Sequence, residues 1–401
     1  MRVLLAHNFY RSSAPSGEDS VYTNERALLE REHEVIAFER FNDDIDESSL
    51  AKKVRLAVDG AWSEKIYREI IALIQKTKPE IAHFHNTFPL ISPSAYAACR
   101  DQGVPVVQTL HNYRFICPNA LLMRNHQPCE DCLGSRLLLP ALRHRCYRGS
   151  LLATGAQVWT VVSNRWRGTY AKLVNRYVAL TRFAVPRLIA GGLPENRIEV
   201  KPNFLPDPPV CGRGDGGYAL YVGRLSEEKG VQTLLDAWRS IPELPLKIVG
   251  EGSLRSRLEN QVRQDGSNVE FLGFQGRSTV IDLVCRAALQ VIPSECYEGF
   301  PLTLLEAYSC GTPVLVSRIG SLDELVKEGE TGFKFQPGSS EDMVFQIKQL
   351  LKNPRLLIFM RERCRAIFEA KYTAEINIAE INKIYQHAIE DAHLGKDQVD
   401  R

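Results

Sequence analysis

Short apolar runs of strand character alternate with longer helical runs along this chain, halt once, and then resume. RVLLAH is followed by a loop and the helical EDSVYTNERALLERE. Then come HEVIAFE, a helical stretch from Trp62 to Gln75, IAHFHN, a helix near Ser94 to Arg100, and VPVVQTLHN. VWTVVS, YVAL and IEVKPN read as further strands. The Pro- and Gly-rich LPDPPVCGRGDGG breaks the series. After it follow YALYVGR, a helix from Val231 to Ser240, LKIVGEG, NVEFLGF, ALQVIPS, TPVLVS and GFKF. Strands separated by helices require crossover connections, so each half is expected to be α/β with a parallel, doubly wound sheet. The expected division is a first domain over 1–205, a linker over 206–217, a second domain over 218–372 and a helical tail over 373–401. Two such domains leave a cleft where the carboxyl ends of strands bind ligands.

The chain has 401 residues, more than one core usually serves, which agrees with two domains. Hydrophobic residues make up 44% and charged residues 24%, the balance of a water-soluble globular protein. No apolar run reaches the roughly 20 residues that span a bilayer. MRVLLAHNFY turns polar too early for a signal peptide and reads as a first buried strand. A cytosolic location is expected.

A net charge of +2 conceals an asymmetry. No Asp or Glu occurs from Leu133 to Pro194, a stretch that carries Arg136, Arg143, Arg145, Arg148, Arg165, Arg167, Lys172, Arg176, Arg182 and Arg187. Leu137 to Leu139, Trp159, Trp166, Tyr170 and Leu173 are interleaved with them. Such a face suits an anionic membrane or substrate; the alternative is a solvated face balanced by acids elsewhere. No nucleic-acid module accompanies the charge, so nucleic acid is not an expected partner.

Chemistry concentrates in EGFPLTLLE, where Glu298 and Glu306 lie eight residues apart. Gly299, Phe300 and Pro301 shape a turn at the mouth of a helix, whose backbone N–H groups can take a phosphate. A carboxylate one or two turns further on can reach sugar hydroxyls, a combination that suits a nucleotide-sugar. In YVGRLSEEKG, Arg224 and Lys229 follow a strand and could neutralise a diphosphate, or pair with Glu227 and Glu228. Gly250 to Gly252 (GEG) permits close backbone approach to a ligand. His111 lies just after VPVVQTL, a fitting place for a catalytic group or for a structural histidine, and His85 is a weaker candidate of the same kind. Asp44 and Asp46 resemble a metal-binding pair but sit in the polar FNDDIDESS and read as loop.

Cys117, Cys129, Cys132 and Cys146 form a second cluster, with a C-x2-C knuckle in CEDC. That spacing suits a structural zinc bracing an irregular insertion over about 112–150; His126 and His144 are possible substitutes. Buried free thiols are the next reading and disulfides the last.

Taken in order, GRLSEEKG, KIVGEGSLRSRLE, NVEFLGF, PSECYEGFPLTLLEAYSCGTPVLVS and ELVKEGETGF resemble the retaining glycosyltransferases of family 4, and SGED, HFHN, HNYRFICPN and KPNF extend the likeness over the first half. HNYRFICPN with CEDC is similar to the bacterial enzymes of capsule, exopolysaccharide or O-antigen assembly. The resemblance implies the GT-B fold, two Rossmann-like doubly wound domains facing across a cleft, with a C-terminal helix returning to the first. It implies that Arg224 and Lys229 bind the donor diphosphate, Glu306 the ribose and Glu298 the donor hexose. Backbone at Phe300, Pro301, Leu302 and Thr303 would cradle phosphate, Gly17 would line its other side, and His111 would stand near the transferred sugar. Family members often carry two glycines in the SGED loop; Ser16 replaces the first. The donor would be a UDP-, GDP- or other NDP-sugar, used without a catalytic metal. The acceptor would be a glycan, plausibly polyprenyl-diphosphate-linked, at the inner membrane face. A nucleotide-sugar 2-epimerase of the same architecture, or a non-catalytic nucleotide-sugar-binding subunit, are the alternatives.

Overall fold

The computed structural model describes residues 1–13 and 16–397, the side chains of 395–397 excepted. The end of the sequence, GKDQVDR, reads as frayed, and its residues beyond Asp397 lie outside the described residues. The strands are β1 (Arg2–Phe9), β2 (Glu34–Phe41), β3 (Ile81–Phe84), β4 (Val106–Leu110), the two-residue β5 (Met123–Arg124) and β6 (Gln127–Pro128), β7 (Arg176–Ala179) and β8 (Ile198–Val200). They continue with β9 (Ala219–Val222), β10 (Leu246–Val249), β11 (Val269–Gly273), β12 (Leu289–Ile292), β13 (Val314–Ser317) and β14 (Gly332–Phe335). The chain forms two compact units. One holds Met1–Leu122, Cys129–Asn203 and the chain from Glu375; the other holds Met123–Pro128 and Phe204–Ala374.

The first unit is built on a six-stranded parallel sheet of order β2-β1-β3-β4-β7-β8. Val3 to Ala6 of β1 are fully buried, because helices cover both faces of the sheet. Helix Gly17–Leu29 lays Val21, Tyr22, Glu25, Leu28 and Leu29 inward. That stripe is apolar except for Glu25.

VWTVVS is not a strand. It lies inside helix Leu151–Trp166, where Val158, Val161 and Val162 are buried at helical spacing. A short β-branched run carries no periodicity of its own, and here its flanks decide: Ser150 caps the helix by accepting a bond from the Ala153 N–H. The stretch from Glu362 to His393, which reads as one helix in the sequence, is two, Pro354–Lys371 and Ala374–Asp397. The break falls at Tyr372, whose ring packs edge-on against Phe300 with centroids 5.5 Å apart. Thr373, a favoured N-cap residue type, then precedes the last helix. That helix belongs to the first unit, tied by Arg176 to Asp391 at 2.9 Å and by His33 to Asn382 at 2.7 Å.

The second unit has a six-stranded parallel sheet of order β11-β10-β9-β12-β13-β14. The strand order reverses between β9 and β12, which sets the loops after those two strands side by side, the position where open α/β sheets bind ligands. Gly230 locks the β9 loop against the β12 loop. Its φ is +66°, and a Cβ there would lie 1.9 Å from the Pro293 carbonyl oxygen. Replacing Gly230 with Ala should cost roughly 3 kcal/mol or more in urea unfolding, since a steric clash with backbone adds to left-handed strain. An unchanged midpoint would show that the loops can part freely.

Candidate functional site

The loops at the reversal point of the second unit carry most of the expected site. Lys229 closes a 3-10 turn after β9, and its Nζ donates to Glu298 Oε1 at 2.6 Å. Ser294, just after β12, donates its hydroxyl to the same oxygen at 2.5 Å, and Ser321 donates to the Glu298 carbonyl at 2.8 Å. Burial pushes the Glu298 carboxyl up, but the Lys229 ammonium and these bonds outweigh it and hold it below its ordinary range. Burial likewise works against the Lys229 charge, and Glu298 more than restores it. The ammonium has three donors and Glu298 takes one, so two remain for an incoming oxyanion. Arg224 is 64% exposed and, among the described residues, is held by Glu228 at 3.3 Å, so its guanidinium is also available.

Glu298 leads through Gly299 and Phe300 to helix Leu302–Ser309. Pro301 occupies the N-cap with no side-chain acceptor, so the first helical N–H groups, those of Leu302 and Thr303, are left for a ligand or water. Phe300 is buried against Tyr372 and serves as a core anchor for this turn. One and a half turns in, the Glu306 carboxyl has no side-chain partner among the described residues. Burial raises its pKa to about 7, with Arg277 acting weakly in the opposite sense. Two glutamates in one motif therefore differ in protonation tendency because only one has a cation and a hydroxyl on its carboxyl.

Gly250, with φ of +135°, packs where a Cβ would meet the Gly223 carbonyl oxygen at 1.9 Å. Its N–H donates to Gly273 at 2.8 Å. Gly252 similarly faces the Leu225 carbonyl oxygen at 2.3 Å from its ideal Cβ position. The close approach that the GEG motif signals is thus to the β9 loop, which it braces.

In the first unit, Gly17 opens helix Gly17–Leu29 behind a capping box. Ser16 accepts from the Glu18 N–H, and its own N–H donates to Asp19. The departure from the two-glycine pattern therefore supplies a cap. His111 follows β4, partly exposed, with Nε2 2.9 Å from His85 Nδ1. Burial and the neighbouring imidazoles hold His111 well below the usual histidine range. Asp46 pairs with Lys52 and accepts the Ser48 N–H, which makes it part of a loop brace.

The zinc shell expected from the cysteines is not assembled. Cys117, Cys129 and Cys146 are close enough to raise the Cys132 thiol together with burial, which acts first and most strongly. Yet among the described residues the one trio of ligand atoms within 4.8 Å of one another is Glu25, His83 and His85. Sulfurs around a tetrahedral zinc stand about 3.8 Å apart, given a Zn–S bond of about 2.3 Å. Instead the Cys117 thiol donates to Asn119 Oδ1 at 2.9 Å, and its sulfur accepts backbone N–H groups of the same turn.

Sequence reasoning missed Ser294, Glu25 and Lys201. Ser294 lies four residues before Glu298, close enough to have been read with it. Glu25 was visible as the one acid in an inward helical stripe. Lys201 gave no signal of its own.

Residues 17–207 match the family profile described as Glycosyltransferase Family 4, and residues 212–370 match that described as Glycosyl transferases group 1. The chain belongs to the group 1 glycosyltransferases, with a family 4 N-terminal half. An uncharacterized glycosyltransferase of Methanocaldococcus jannaschii is 29% identical over 193 residues, 48% of this chain and 54% of that protein. The chain spans about half the length of such curated relatives. Sucrose-phosphate synthase from Thermosynechococcus elongatus superposes with a TM-score of 0.69 at 18% identity, covering 96% of this chain and 98% of that one. HepE of Anabaena in complex with UDP gives 0.66 at 18% identity, covering 96% and 100%. These structures establish the GT-B fold for this group 1 chain.

The raised Glu306 gives a pH signature. If its carboxylate receives hydroxyl donors, a non-titrating nucleotide-sugar binds the ionised form, whose share grows as pH rises through about 7. Affinity should be about tenfold weaker at pH about 6 than at pH about 8, and Glu306→Gln should flatten the profile. Calorimetry at both pH values checks it; an equally steep profile in the variant would place the titrating group elsewhere.

Proposed function

We propose that this chain transfers a sugar from an NDP-α-sugar to a glycan acceptor with retention of anomeric configuration. The observation that carries the proposal is the convergence, at one strand-order reversal, of Lys229 on Glu298, a helix end without a side-chain cap and a Glu306 with no side-chain hydrogen bond among the described residues. Arg224 and Lys229 would take the diphosphate and stabilise the charge on the departing nucleotide. Leu302 and Thr303 would add backbone donors to the phosphate, Glu306 would hold the ribose, and Glu298 the hexose. HepE, crystallised with UDP-glucose, supports a nucleotide-sugar donor. Binding to UDP-, GDP-, ADP- and dTDP-sugars measured by calorimetry should single out one base. Lys229→Ala should then weaken that donor roughly ten- to hundredfold, the worth of hydrogen bonds to a charged group. Wild-type affinity and turnover in both Lys229→Ala and Glu306→Ala would remove the assignment. An epimerase would instead release a free epimerised nucleotide-sugar without acceptor. A non-catalytic binding subunit would bind the donor and yield no transfer product.

The acceptor is proposed to be lipid-linked, met at an anionic membrane face in surface-polysaccharide synthesis. No described helix is long and apolar enough to span a membrane. On helix Leu151–Trp166, however, Leu152, Trp159 and Trp166 are 82%, 51% and 68% exposed at a spacing of seven, so they share one face. Helix Leu50–Ala61 packs along it and exposes Leu50, Val54 and Val58 at a spacing of four. Arg136, Arg143, Arg145, Arg148 and Arg167 are exposed in the same segment, whereas Arg176 and Arg187 are engaged with acids. Apolar side chains with surrounding arginines suit an anionic bilayer surface. Replacing Arg143 and Arg145 by Ala should lower binding to phosphatidylglycerol-containing vesicles by about thirtyfold, at about 1 kcal/mol per cation. Equal sedimentation of variant and wild type would exclude this face.

A further inference from the structure

Four groups of the first unit form a buried line that ends at His111. Lys201, just beyond β8, donates to Glu25 Oε2 at 2.7 Å, with 2% and 1% of the two side chains exposed. Glu25 Oε1 lies 3.2 Å from His85 Nε2, a long contact, and 3.4 Å from His83 Nδ1. His85 Nδ1 lies 2.9 Å from His111 Nε2. Asn377 of the last helix steadies the far end, 3.3 Å from Lys201 Nζ.

Glu25, His83 and His85 have the makings of a cation site. Lys201 argues against one. Its ammonium already neutralises Glu25, and a divalent ion would sit beside a buried positive charge. Both His83 nitrogens are also engaged, with Tyr385 and Thr109 hydroxyls at 2.8 Å each.

The line instead dictates proton positions. An ionised carboxylate only accepts, and a bare nitrogen lone pair facing it would be repelled, so His85 carries its proton on Nε2. Its Nδ1 is then an acceptor, and His111 must donate from Nε2. A neutral His111 is left with a bare Nδ1, which no described group occupies. We infer that Glu25, His85 and Lys201 are positioning residues that fix His111 as a neutral Nε2–H tautomer, presenting Nδ1 as a permanent acceptor for a substrate hydroxyl. His111 thus orients a hydroxyl and does not carry its proton. The groups that face it are His7 on β1, Glu25 on the first helix, and His83 and His85 at the end of β3. Their summed effect, after burial, keeps it uncharged. The use of Nδ1 toward a sugar rests on the transfer reading above; the tautomer does not.

The test is long-range proton–nitrogen spectroscopy of the full chain with labelled imidazoles, assigned with His85→Gln and His111→Gln. Nδ1 of His111 should resonate as an unprotonated nitrogen and stay there from pH about 5.5 to about 8, across the range where an ordinary histidine titrates. Protonation at Nδ1, or titration near the ordinary value, overturns the inference. Two double variants remove the ion pair together, so that no lone buried charge remains. In E25Q/K201M the Gln oxygen can still accept from His85, and the wild-type pattern should persist. In E25L/K201M it cannot, and the His111 signals should shift toward an average of tautomers. A wild-type spectrum in E25L/K201M means that Glu25 does not set the tautomer. No substrate is needed, so failure here leaves the transfer reading to be judged separately by donor binding.

Discussion

A parallel sheet covered by helices on both faces has no water along its length, and this constraint governs where the chain can place polar chemistry. Every buried strand residue must be apolar or satisfied within the layer, so ligand groups collect in loops past the carboxyl ends of the strands. Both units obey it. In the second, Arg224 and Lys229 follow β9 while Ser294 and Glu298 follow β12, and only the reversal in strand order makes those loops neighbours. In the first, His85 follows β3 and His111 follows β4, which are adjacent strands. Neither grouping is local in sequence.

Two lysine–glutamate pairs illustrate how burial changes the meaning of the same contact. Lys201 and Glu25 are shut in at 2.7 Å, and desolvating both ions is repaid only by their attraction, by the Lys201 bond to Asn377 and by the polar contact of Glu25 with His85. Removing either partner alone would strand a charge, so this pair suits fixed orientation of its neighbours. Lys229 and Glu298 lie at 2.6 Å but retain 23% and 13% exposure. Partial hydration lets the ammonium add phosphate oxygens without abandoning the carboxylate. The first pair holds geometry; the second can share its charge with a ligand.

The fold class was legible because alternation and the Pro/Gly break are global signals. RVLLAH and the LKIV of LKIVGEG are strands for the plain reason that a buried parallel strand needs a short apolar run. VWTVVS obeys the same composition and is helix, since its neighbours Ser150 and Trp166 extend it beyond strand length. The cysteine spacing was legible but insufficient: four residues can satisfy a pattern while turns fix their sulfurs elsewhere. Glu298 and Glu306 stood out as a motif, yet their opposite protonation tendencies depend on Lys229 and Ser294. One of these lies 69 residues away, on a different strand's loop. The line from Lys201 through Glu25 to His85 was least visible, because it joins elements with 176 residues between its first two members.

The contrast between the two glutamates also limits what each can do. A carboxyl held ionised by an ammonium and the Ser294 hydroxyl has little proton affinity left, so Glu298 is suited to accept hydrogen bonds from a sugar and ill suited to shuttle protons. A carboxyl near neutrality, as Glu306 is, can bind a diol only by giving up a proton or by rotating one in. Its environment therefore favours ligands whose hydroxyls compensate the buried charge, and penalises those that lack them, because an ionised carboxylate left unpaired would be costly. If Glu306 holds the ribose, its burial would sharpen discrimination at that position. It would distinguish a ribose with both hydroxyls from a deoxyribose more sharply than any apolar contact in the same loop could.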